Sequence, residues 1–555
     1  MAQGSFDRAT ALEQLGAGPF DVLVIGGGIT GAGVALDAAS RGLRTALVER
    51  DDFASGTSSK SSKLVHGGLR YLQNGDVRLV YEALRERQRL RRNAPHLVRL
   101  LPFLIPLFSK DGLINPKVAR ALGSAMWMYD LTGGARIGKL HKRLKKAQAV
   151  AHMPTLPEER LAGAYLYYDA AADDARLTLT ILRTAALDHG AVVVNHARVV
   201  DLIHEGGQAS GAVVEADGRR IEARARSVVN ATGVWSDDVR ALDEGEDPDS
   251  IRPAKGIHIT VPWEKVRNDI AVVVPVPKDK RSVFVVPWLP KDGGGFELTY
   301  IGTTDTDYDG PIDDPQCTAN DVAYLLNAIN VSVREPLSEA DVVGTWAGLR
   351  PLVKAASSGR TADLSRRHKV TRSESGVITV TGGKLTTYRE MAEDTVDALV
   401  GHLDGLPRSA RRCRTARLKL RGAQSTDAKA AGTARHLADR FGNEAAEVRA
   451  LVDADPTLGA PLVPGLPYLR AEAVHAARHE MATSIDDVLA RRTRARLQAR
   501  DASAAAAADV GALLARELGW SNEETDRQIA AYHALAEAER AAPGLPTIDG
   551  SPVAP

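Results

Sequence analysis

The chain has 555 residues, 44% hydrophobic and 25% charged, which is long enough for two or more domains with buried cores. Its 71 basic and 70 acidic residues give a formal net charge of +1. A nearly neutral protein lacks the overall positive charge that favours nucleic-acid binding, so no nucleic-acid partner is expected. The two cysteines, Cys317 and Cys413, lie outside any CxxC pair, so we expect neither a disulfide framework nor a metal site. This cysteine content fits a reducing cytoplasm.

The chain start and the most apolar segment bear on membrane insertion. "MAQGSFDRAT" lacks the basic-then-apolar pattern of a signal peptide. The segment 97–108, "LVRLLPFLIPLF", is interrupted by Arg99, Pro102 and Pro106 and is too short to span a bilayer. We therefore predict no transmembrane helix.

The first elements form a dinucleotide-binding unit. "DVLVI" (21–25) is typical of a buried strand, a glycine-rich helix follows, and "RTALVER" (44–50) is a second strand. Gly26, Gly28 and Gly31 form GxGxxG at the helix start, where a pyrophosphate meets unpaired amides, and Glu49 is placed to accept from ribose hydroxyls.

Later segments predict the remaining architecture. Pieces of the same α/β type recur at 191–200, 227–235 and 377–396, separated by strand-rich stretches, and helical spacing dominates from about 405. The predicted fold is α/β, with a Rossmann-type FAD-binding domain interleaved with an antiparallel-sheet substrate domain over residues 20–400, plus a C-terminal all-helical domain at 405–540 and a flexible tail at 541–555. The FAD-binding segments are predicted at about 20–90, 185–250 and 340–400, and the substrate-domain segments at about 95–180 and 251–339.

The recurrence of these pieces favours FAD over NAD. "NATGVW" (230–235) and "TGGKLTTY" (381–388) both place glycine beside a strand end, as if the backbone passes close to a long ligand. "TSSKSSKLVHGGLRYL" (57–72) leads from hydroxyls and lysines to two glycines and an arginine, a composition suited to an anion.

Several strings together resemble the FAD-dependent glycerol-3-phosphate dehydrogenases of the amino-acid-oxidase-like flavoprotein superfamily. They are "IGGGITGAG", "SSKLVHGGLRYL", "YYDAAADDARL", "NATGVW", "KGIHITVP", "IGTTDTDYDG", "GLRPL" and "GGKLTTYR", within about residues 20–400. The resemblance implies oxidation of sn-glycerol 3-phosphate to dihydroxyacetone phosphate on FAD, with electrons passed to a membrane quinone. A homodimer is left open.

The resemblance also implies site residues. The substrate phosphate is assigned to Arg70, Arg350, Arg366 and Lys384, because guanidinium groups bind such dianions bidentately. The cofactor is assigned to Gly26, Gly27, Gly28, Thr30, Gly31, Glu49, Thr57, Ser58, Ser62, Lys63, Leu64, Val199, Thr232, Gly233, Gly383, Lys384 and Leu385.

Oxidation of a secondary alcohol also needs a base within reach of its hydroxyl. His66 and His258 are both candidates, and the choice stays open. Arg350 or Lys384 could stabilise the alkoxide. Asp169, Asp173 and Asp174 lack a histidine cluster and are interpreted as helix-capping or structural, while Arg389 is expected to form an ion pair within its helix.

A quinone acceptor requires contact with a bilayer. The segment 136–146, "RIGKLHKRLKK", crowds six basic residues with Ile137, Leu140 and Leu144 at helical spacing. It predicts a basic amphipathic helix, which suits an anionic membrane surface or equally an exposed helix of the substrate domain. The expected location is cytoplasmic, peripherally attached to the inner face of the plasma membrane.

Two other functions stay open at this point. One is a glycerol-3-phosphate oxidase that returns electrons to oxygen. The other is a non-catalytic flavin-binding partner protein. The cations Arg70, Arg350 and Lys384 argue against it, because a non-catalytic binder needs no second phosphate site.

Overall fold

The computed structural model of the chain describes residues 6–69, 77–108, 123–124, 126–130, 138–276, 281–354, 368–424 and 430–548. The strands are, in chain order, β1 (Val22–Ile25), β2 (Thr45–Val48), β3 (Leu64–Val65), β4 (Val98–Phe108), β5 (Lys142–Leu144), β6 (Leu161–Ala172), β7 (Val192–Val194), β8 (Arg198–Glu205), β9 (Gln208–Ala216), β10 (Arg219–Arg224), β11 (Val228–Asn230), β12 (Ile251–Pro262), β13 (Ala271–Pro275), β14 (Ser282–Pro290), β15 (Phe296–Gly302), β16 (Thr306–Asp307), β17 (Gly344–Val353), β18 (Lys369–Arg372) and β19 (Ile378–Thr381).

The α-helices of the described residues are α1 (Arg8–Gly16), α2 (Ile29–Ser40), α3 (Val77–Asn93), α4 (Lys146–His152), α5 (Asp174–His189), α6 (Ser236–Glu244), α7 (Ala319–Asn330), α8 (Tyr388–Val400), α9 (Gly432–Phe441), α10 (Ala445–Ala454), α11 (Arg470–His479), α12 (Ala495–Gln498), α13 (Arg500–Ala505), α14 (Ala507–Leu518) and α15 (Asn522–Ala541).

The nucleotide-binding sheet has the order β18-β19-β11-β1-β2-β7. Its pairs are parallel except β18 with β19, which is antiparallel. The central strand β1 is the uninterrupted apolar run VLVI, and all of it is buried, because helices cover both faces of such a sheet. Helix α2 packs against α5 and α8. The Rossmann-type prediction is confirmed.

A second sheet carries much of the remaining wall of the site, and a separate three-stranded sheet has the order β10-β9-β8. The second sheet has the order β16-β12-β15-β14-β13-β4-β6-β3, with β17 paired to β12 and β5 paired to β6. The pairing is antiparallel apart from β13 with β4. Strand β17 lies in this sheet, so the predicted FAD-binding segment starting at about 340 is wrong up to Val353. Ten antiparallel residue pairs with β12 hold β17 there.

The C-terminal region is helical, as the sequence predicts. Helices α9 to α15 surround an apolar core of their own. Ser521 caps α15, its side chain accepting from the backbone N–H of Glu524. Residues 542–548 do not form the predicted flexible tail, because Leu545 is buried and Arg500 donates to the backbone oxygen of Pro546 at 3.1 Å. Residues 549–555 lie outside the described part.

The predicted basic amphipathic helix at 136–146 is wrong over its described part. Residues 142–144 form β5, with Lys142 opposite Leu166 and Leu144 opposite Ala164 in β6. Leu144 is buried while Lys142 and Arg143 are exposed, and charged side chains are common on a short edge strand. Pairing with β6 supplies the backbone hydrogen bonds, so tertiary context overrides local helical spacing. Helix α4 begins only at Lys146.

Candidate active site

One large cavity lies between the two sheets. Its volume is about 1520 Å³, above the roughly 300–1,000 Å³ typical of sites for drug-sized ligands. Its wall includes Gly26 and Glu49 at one end and His258 and Arg350 at the other. The cavity is thus large enough for a dinucleotide-sized ligand with a second, smaller molecule beside it.

The glycine-rich turn after β1 forms one end of the cavity. Gly26 has φ +109°, a conformation that favours glycine. A Cβ on Gly31 would lie 1.9 Å from the Gly26 backbone oxygen, so only glycine lets α2 approach the turn this closely. Gly28 is the N-cap of α2, and the backbone N–H of Ile29 donates to Ser58 Oγ at 2.8 Å. The helix start faces the cavity as an anion site.

Glu49 follows β2 directly and fixes the same turn. Its carboxylate accepts from the backbone N–H of Gly27 at 2.6 Å and of Asp51 at 2.9 Å. Burial raises the pKa of this carboxyl, against the lowering by those hydrogen bonds. Each carboxylate oxygen keeps a second acceptor position, so Glu49 can also accept from a ribose hydroxyl.

Three residues from distant segments join beside Glu49. The Arg50 guanidinium lies 4.9 Å from the ring centroid of Trp235 and donates to Asp313 at 2.8 Å. Trp235 Nε1 donates to the same carboxylate at 2.7 Å. Arg50 and Trp235 line the cavity. We name this trio, Arg50, Trp235 and Asp313, the clasp. Sequence analysis missed it, because its members lie far apart along the chain.

The hydroxyl-rich run from Thr57 to Lys63 crosses the middle of the cavity. Thr57 Oγ1 donates to the Leu349 backbone oxygen at 2.6 Å, which ties the run to β17. Lys63 has φ +56°, and its ammonium lies in the wall, 3.2 Å from both Asp174 and the Ser59 backbone oxygen. Burial, followed by the charge of Arg494, lowers the pKa of Lys63 to about 8.

Arg350 lies at the far end, on β17. Its guanidinium is 3.2 Å from Asp305 and also donates to Thr303 Oγ1 at 3.3 Å and to the Thr304 backbone oxygen at 3.2 Å. Nearby, Arg281 donates to the Asp305 backbone oxygen at 2.6 Å and lines the cavity. Sequence analysis missed both Arg281 and Asp305, although Asp305 lies inside the matched string "IGTTDTDYDG".

His258 is buried on β12 against an aromatic wall. Its ring stacks on Trp346 with centroids 4.6 Å apart and an interplanar angle of 9°, and Nε2 lies 2.9 Å from Ser62 Oγ. Nδ1 has no hydrogen-bond partner among the described residues. Burial first, then Lys63 and Arg350, hold the pKa of this imidazole well below 6.5. His258 is therefore neutral near pH 7 and can accept a proton.

His66 and Lys384 complete the end of the cavity at which His258 and Arg350 lie. His66 follows β3, its backbone N–H donates to Thr386 Oγ1 at 3.2 Å, and its ring centroid lies 6.4 Å from that of Phe284. Lys384 is in the turn after β19, next to Gly383 with φ +80°. Both side chains line the cavity.

The structure gathers most of the predicted site residues around this one space. The lining includes His66, His258, Arg350, Lys384, Gly26, Gly28, Thr30, Glu49, Thr57, Ser58, Ser62, Leu64, Val199, Thr232, Gly233, Gly383 and Leu385. The lining does not include Gly27, Gly31 or Lys63, which lie in the supporting wall. Arg70 and Arg366 lie outside the described residues.

The acidic residues have structural partners. Asp173 caps α5 by accepting from the Arg176 backbone N–H, and Asp169 accepts from Arg87 and Tyr129. Arg389 pairs within its helix with Glu393 and also with Glu86 of α3.

In the described part of the chain, one group of potential metal ligands lies close enough together, namely Asp52, His196 and Asp487. Arg491 pairs with both of its carboxylates. Arg492 also pairs with Asp52, so two cations already balance the charge of the two carboxylates.

Comparison with known proteins agrees with this geometry. Residues 21–389 match the family model described as FAD dependent oxidoreductase, and residues 413–525 match the C-terminal domain of alpha-glycerophosphate oxidase. The glycerol-3-phosphate dehydrogenase of Mycobacterium leprae is 41% identical, with 97% of this chain and 92% of that protein covered. Glycerol-3-phosphate dehydrogenase 2 of Mycobacterium tuberculosis is 40% identical over the same shares.

A solved structure covers almost the whole chain. The glycerol-3-phosphate dehydrogenase from Bacillus halodurans complexed with FAD has a TM-score of 0.74 and 30% identity, with 96% of both chains covered. The chain belongs to the FAD-dependent glycerol-3-phosphate dehydrogenase family. It is an FAD-dependent oxidoreductase, and the resemblance drawn from its motifs is confirmed. The residues at the nucleotide end fit FAD, because Gly26, Gly28 and Glu49 line the cavity beside the start of α2, where a pyrophosphate can meet backbone N–H groups.

Proposed function

We propose that the chain oxidises sn-glycerol 3-phosphate to dihydroxyacetone phosphate and passes the electrons to a membrane quinone. One observation carries this proposal: the glycine-rich turn and the Arg350, His258 and Lys384 end line the same cavity. FAD, when bound, supplies the acceptor for the hydride that leaves C2 of the substrate.

The cations at the His258 and Arg350 end of the cavity bind the substrate phosphate. Arg350 and Lys384 both line the cavity, and Arg70 and Arg366 are proposed for the same role outside the described residues. Arg350 is held in place by Asp305, Thr303 and Thr304. Its side chain is still 24% exposed and lines the cavity, so a phosphate oxygen there can approach the guanidinium.

His258 is the proposed base. His258 lines the cavity, and its imidazole, whose pKa lies well below 6.5, is neutral and can accept the proton of the C2 hydroxyl. His66 lines the same end and is the alternative. Arg350 is one of the two cations that act on His258, so it is close enough to stabilise the alkoxide electrostatically.

Anaerobic reduction of the holoenzyme tests the reaction itself. Glycerol 3-phosphate should bleach the flavin absorbance, whereas glycerol, which lacks the phosphate, should reduce it far more slowly. If no phosphorylated alcohol reduces the flavin while FAD stays bound, the non-catalytic flavin-binding alternative is favoured instead.

An exposed apolar lip at the cavity supports a membrane acceptor. Trp127, Met128 and Leu140 are 58%, 42% and 51% exposed. Met128 also lines the cavity, and the Trp127 ring contacts His141 with centroids 4.9 Å apart. We name Trp127, Met128 and Leu140 the lip. Exposed large apolar side chains that meet at a cavity mouth are typical of a partner or membrane surface.

Basic side chains flank the lip. Lys139, Lys142, Arg143 and Lys145 are all exposed, which suits an anionic leaflet. Within the described residues, the chain offers no helix with the length and apolarity that a bilayer crossing requires. Contact with the bilayer is therefore proposed to be peripheral.

Acceptor choice separates the two enzymatic alternatives. With glycerol 3-phosphate in excess, a quinone analogue should be reduced much faster than oxygen, with little hydrogen peroxide released. Stoichiometric peroxide would assign the chain to the oxidase alternative. The homodimer stays a prediction that light scattering of the purified protein tests.

A further inference from the structure

A segment of the C-terminal domain lies behind the wall of the active-site cavity. Arg494 is 2% exposed, yet its Nη2 donates to the Ser59 backbone oxygen at 2.6 Å and pairs with Asp174. Three residues later, the Leu497 backbone oxygen accepts from Thr260 Oγ1 at 2.8 Å. Thr260 and His258 are both on β12. The C-terminal domain is thus in direct contact with the elements that form the site.

Asp174 connects Arg494 to the hydroxyl-rich run. Its fully buried carboxylate accepts from the Ser61 backbone N–H at 3.0 Å and from Ser61 Oγ at 2.7 Å. It also accepts from Lys63 Nζ at 3.2 Å. Arg494 and Asp174 therefore hold Ser59, Ser61 and Lys63, so the backbone of the whole run is fixed from behind.

The run in turn contacts His258. Ser62 Oγ lies 2.9 Å from His258 Nε2. Lys63 Nζ lies 4.6 Å from the ring centroid of Trp346, the ring that stacks on His258. Trp346 Nε1 donates to the Ser61 backbone oxygen at 3.1 Å. A shift of the run would therefore move the groups on two sides of the imidazole.

We propose that Arg494 is a positioning residue of the active site, which through Asp174 and Ser59 holds Ser62 and Lys63 against His258. This proposal rests on the proposed function where it takes His258 as the base. A buried carboxylate with two cationic partners is left with one when Arg494 is removed, and such a change is strongly disruptive because the charges no longer balance. The C-terminal domain then contributes to catalysis without touching the substrate.

The charge balance predicts the sign of the effect on His258. The charged groups that lower its pKa, after burial, are Lys63 from the run and Arg350 from β17, and Tyr300 of β15 contributes an uncharged ring. Arg494, Asp174 and Lys63 together carry two positive charges and one negative. Loss of Arg494 removes one positive charge, so protonation of His258 becomes easier and its pKa rises.

Two variants and a matched control test the proposal in the holoenzyme. Arg494→Gln should lower kcat by roughly 10- to 100-fold, the effect of a small misplacement of catalytic groups, with a smaller change in KM. The acid limb of its kcat/KM profile should move to higher pH. Titration of 13C-labelled histidines, with His258→Gln to assign the resonance, should show the same shift without any turnover.

Arg492→Gln is the control. Arg492 is equally buried in the same segment but binds Asp52 at 2.6 Å and the Glu480 backbone oxygen at 2.8 Å. It should leave the His258 titration unchanged. An unchanged His258 titration in Arg494→Gln, or the same shift in Arg492→Gln, overturns the proposal.

Arg494→Lys decides the matter if Arg494→Gln does not fold. Lysine keeps the charge but lacks the fork in which Nη1 donates to the Ala490 backbone oxygen at 2.7 Å while Nη2 binds Ser59 and Asp174. The His258 titration should stay as in wild type while kcat falls. Wild-type kcat in this variant overturns the proposal. A different failure, full activity in His258→Gln, would refute His258 as the base and leave the titration test of Arg494 intact.

Discussion

Arg350 illustrates how a single residue can serve both the fold and the substrate. Its guanidinium pairs with Asp305 at 3.2 Å, and its side chain is still 24% exposed to the cavity. The ion pair orients the guanidinium before a substrate arrives, and such preorganisation reduces the cost of binding. The same pair means that truncation has two effects, because it removes a phosphate contact and also takes from Asp305 the cation that offsets its charge beside the phosphate.

Arg350→Ala should therefore lower kcat/KM for glycerol 3-phosphate more than for glycerol. A hydrogen bond to a charged group is worth about 1.5–3 kcal/mol, which corresponds to roughly 10- to 150-fold. Asp305→Asn in the same background should restore part of the loss by removing a negative charge that repels the phosphate. Equal losses for glycerol and glycerol 3-phosphate would move Arg350 from the phosphate to the C2 alkoxide.

His258 determines the expected pH dependence. A base must be neutral to act, and burial with Lys63 and Arg350 holds the pKa of His258 well below 6.5. Activity should therefore persist as pH falls through 6.5 and decline only at lower pH, in a kcat/KM profile measured with glycerol 3-phosphate. His258→Gln should lose most of kcat. An acid limb at or above pH 6.5 that survives in His258→Gln would assign the base to His66.

At the scale of elements, local rules explain what the sequence could predict. The turn after β1 needs glycine for its positive φ and for the close approach of α2, and these requirements are local, so the motif revealed them. Strand β5 depends on pairing with β6, more than fifteen residues later. Local helical spacing could not disclose that pairing.

The clasp also escapes sequence analysis, since it joins the ends of β2 and β11 to a loop of the second domain. Asp313→Asn should weaken it by removing the charge that Arg50 and Trp235 share. Because exposed ion pairs are worth about 0.2–1 kcal/mol, FAD should dissociate up to roughly 5-fold faster. Fluorescence of released FAD measures this rate. Asp314→Asn, next in the same loop, is the control, and an equal acceleration there would argue against the clasp.

At the scale of the whole molecule, the two sheets and the C-terminal domain all contribute to one cavity. Interleaving was predictable, because pieces of the same α/β type recur along the chain. The domain to which β17 belongs was not predictable from the sequence, because a strand of mostly apolar residues can join either sheet. Its ten-residue pairing with β12 places β17 in the second sheet. Met128 of the lip lines the cavity, so under the proposed membrane contact the orientation of the enzyme on the bilayer becomes part of its function.

Membrane attachment should depend on charge and on apolar contact separately. Each surface lysine or arginine is worth about 1 kcal/mol near an anionic leaflet and is screened within a Debye length. Lys142 and Arg143 are exposed beside the lip, so the double variant Lys142→Glu/Arg143→Glu should co-sediment poorly with vesicles that contain anionic lipid, and salt should release the wild type in part. Trp127→Ser should weaken binding at every salt concentration, because its indole is 58% exposed and its contribution is apolar.

The matched control reverses two exposed arginines on β10, in the variant Arg219→Glu/Arg220→Glu. It changes the net charge by the same amount as the variant at the lip, so any effect of overall charge appears in both. If the two double variants bind vesicles equally well, the basic face beside the lip does not attach the enzyme. Quinone reduction in vesicles adds the functional comparison: Trp127→Ser should slow it while leaving anaerobic flavin reduction by glycerol 3-phosphate unchanged, because the lip is proposed to meet the acceptor and not the substrate.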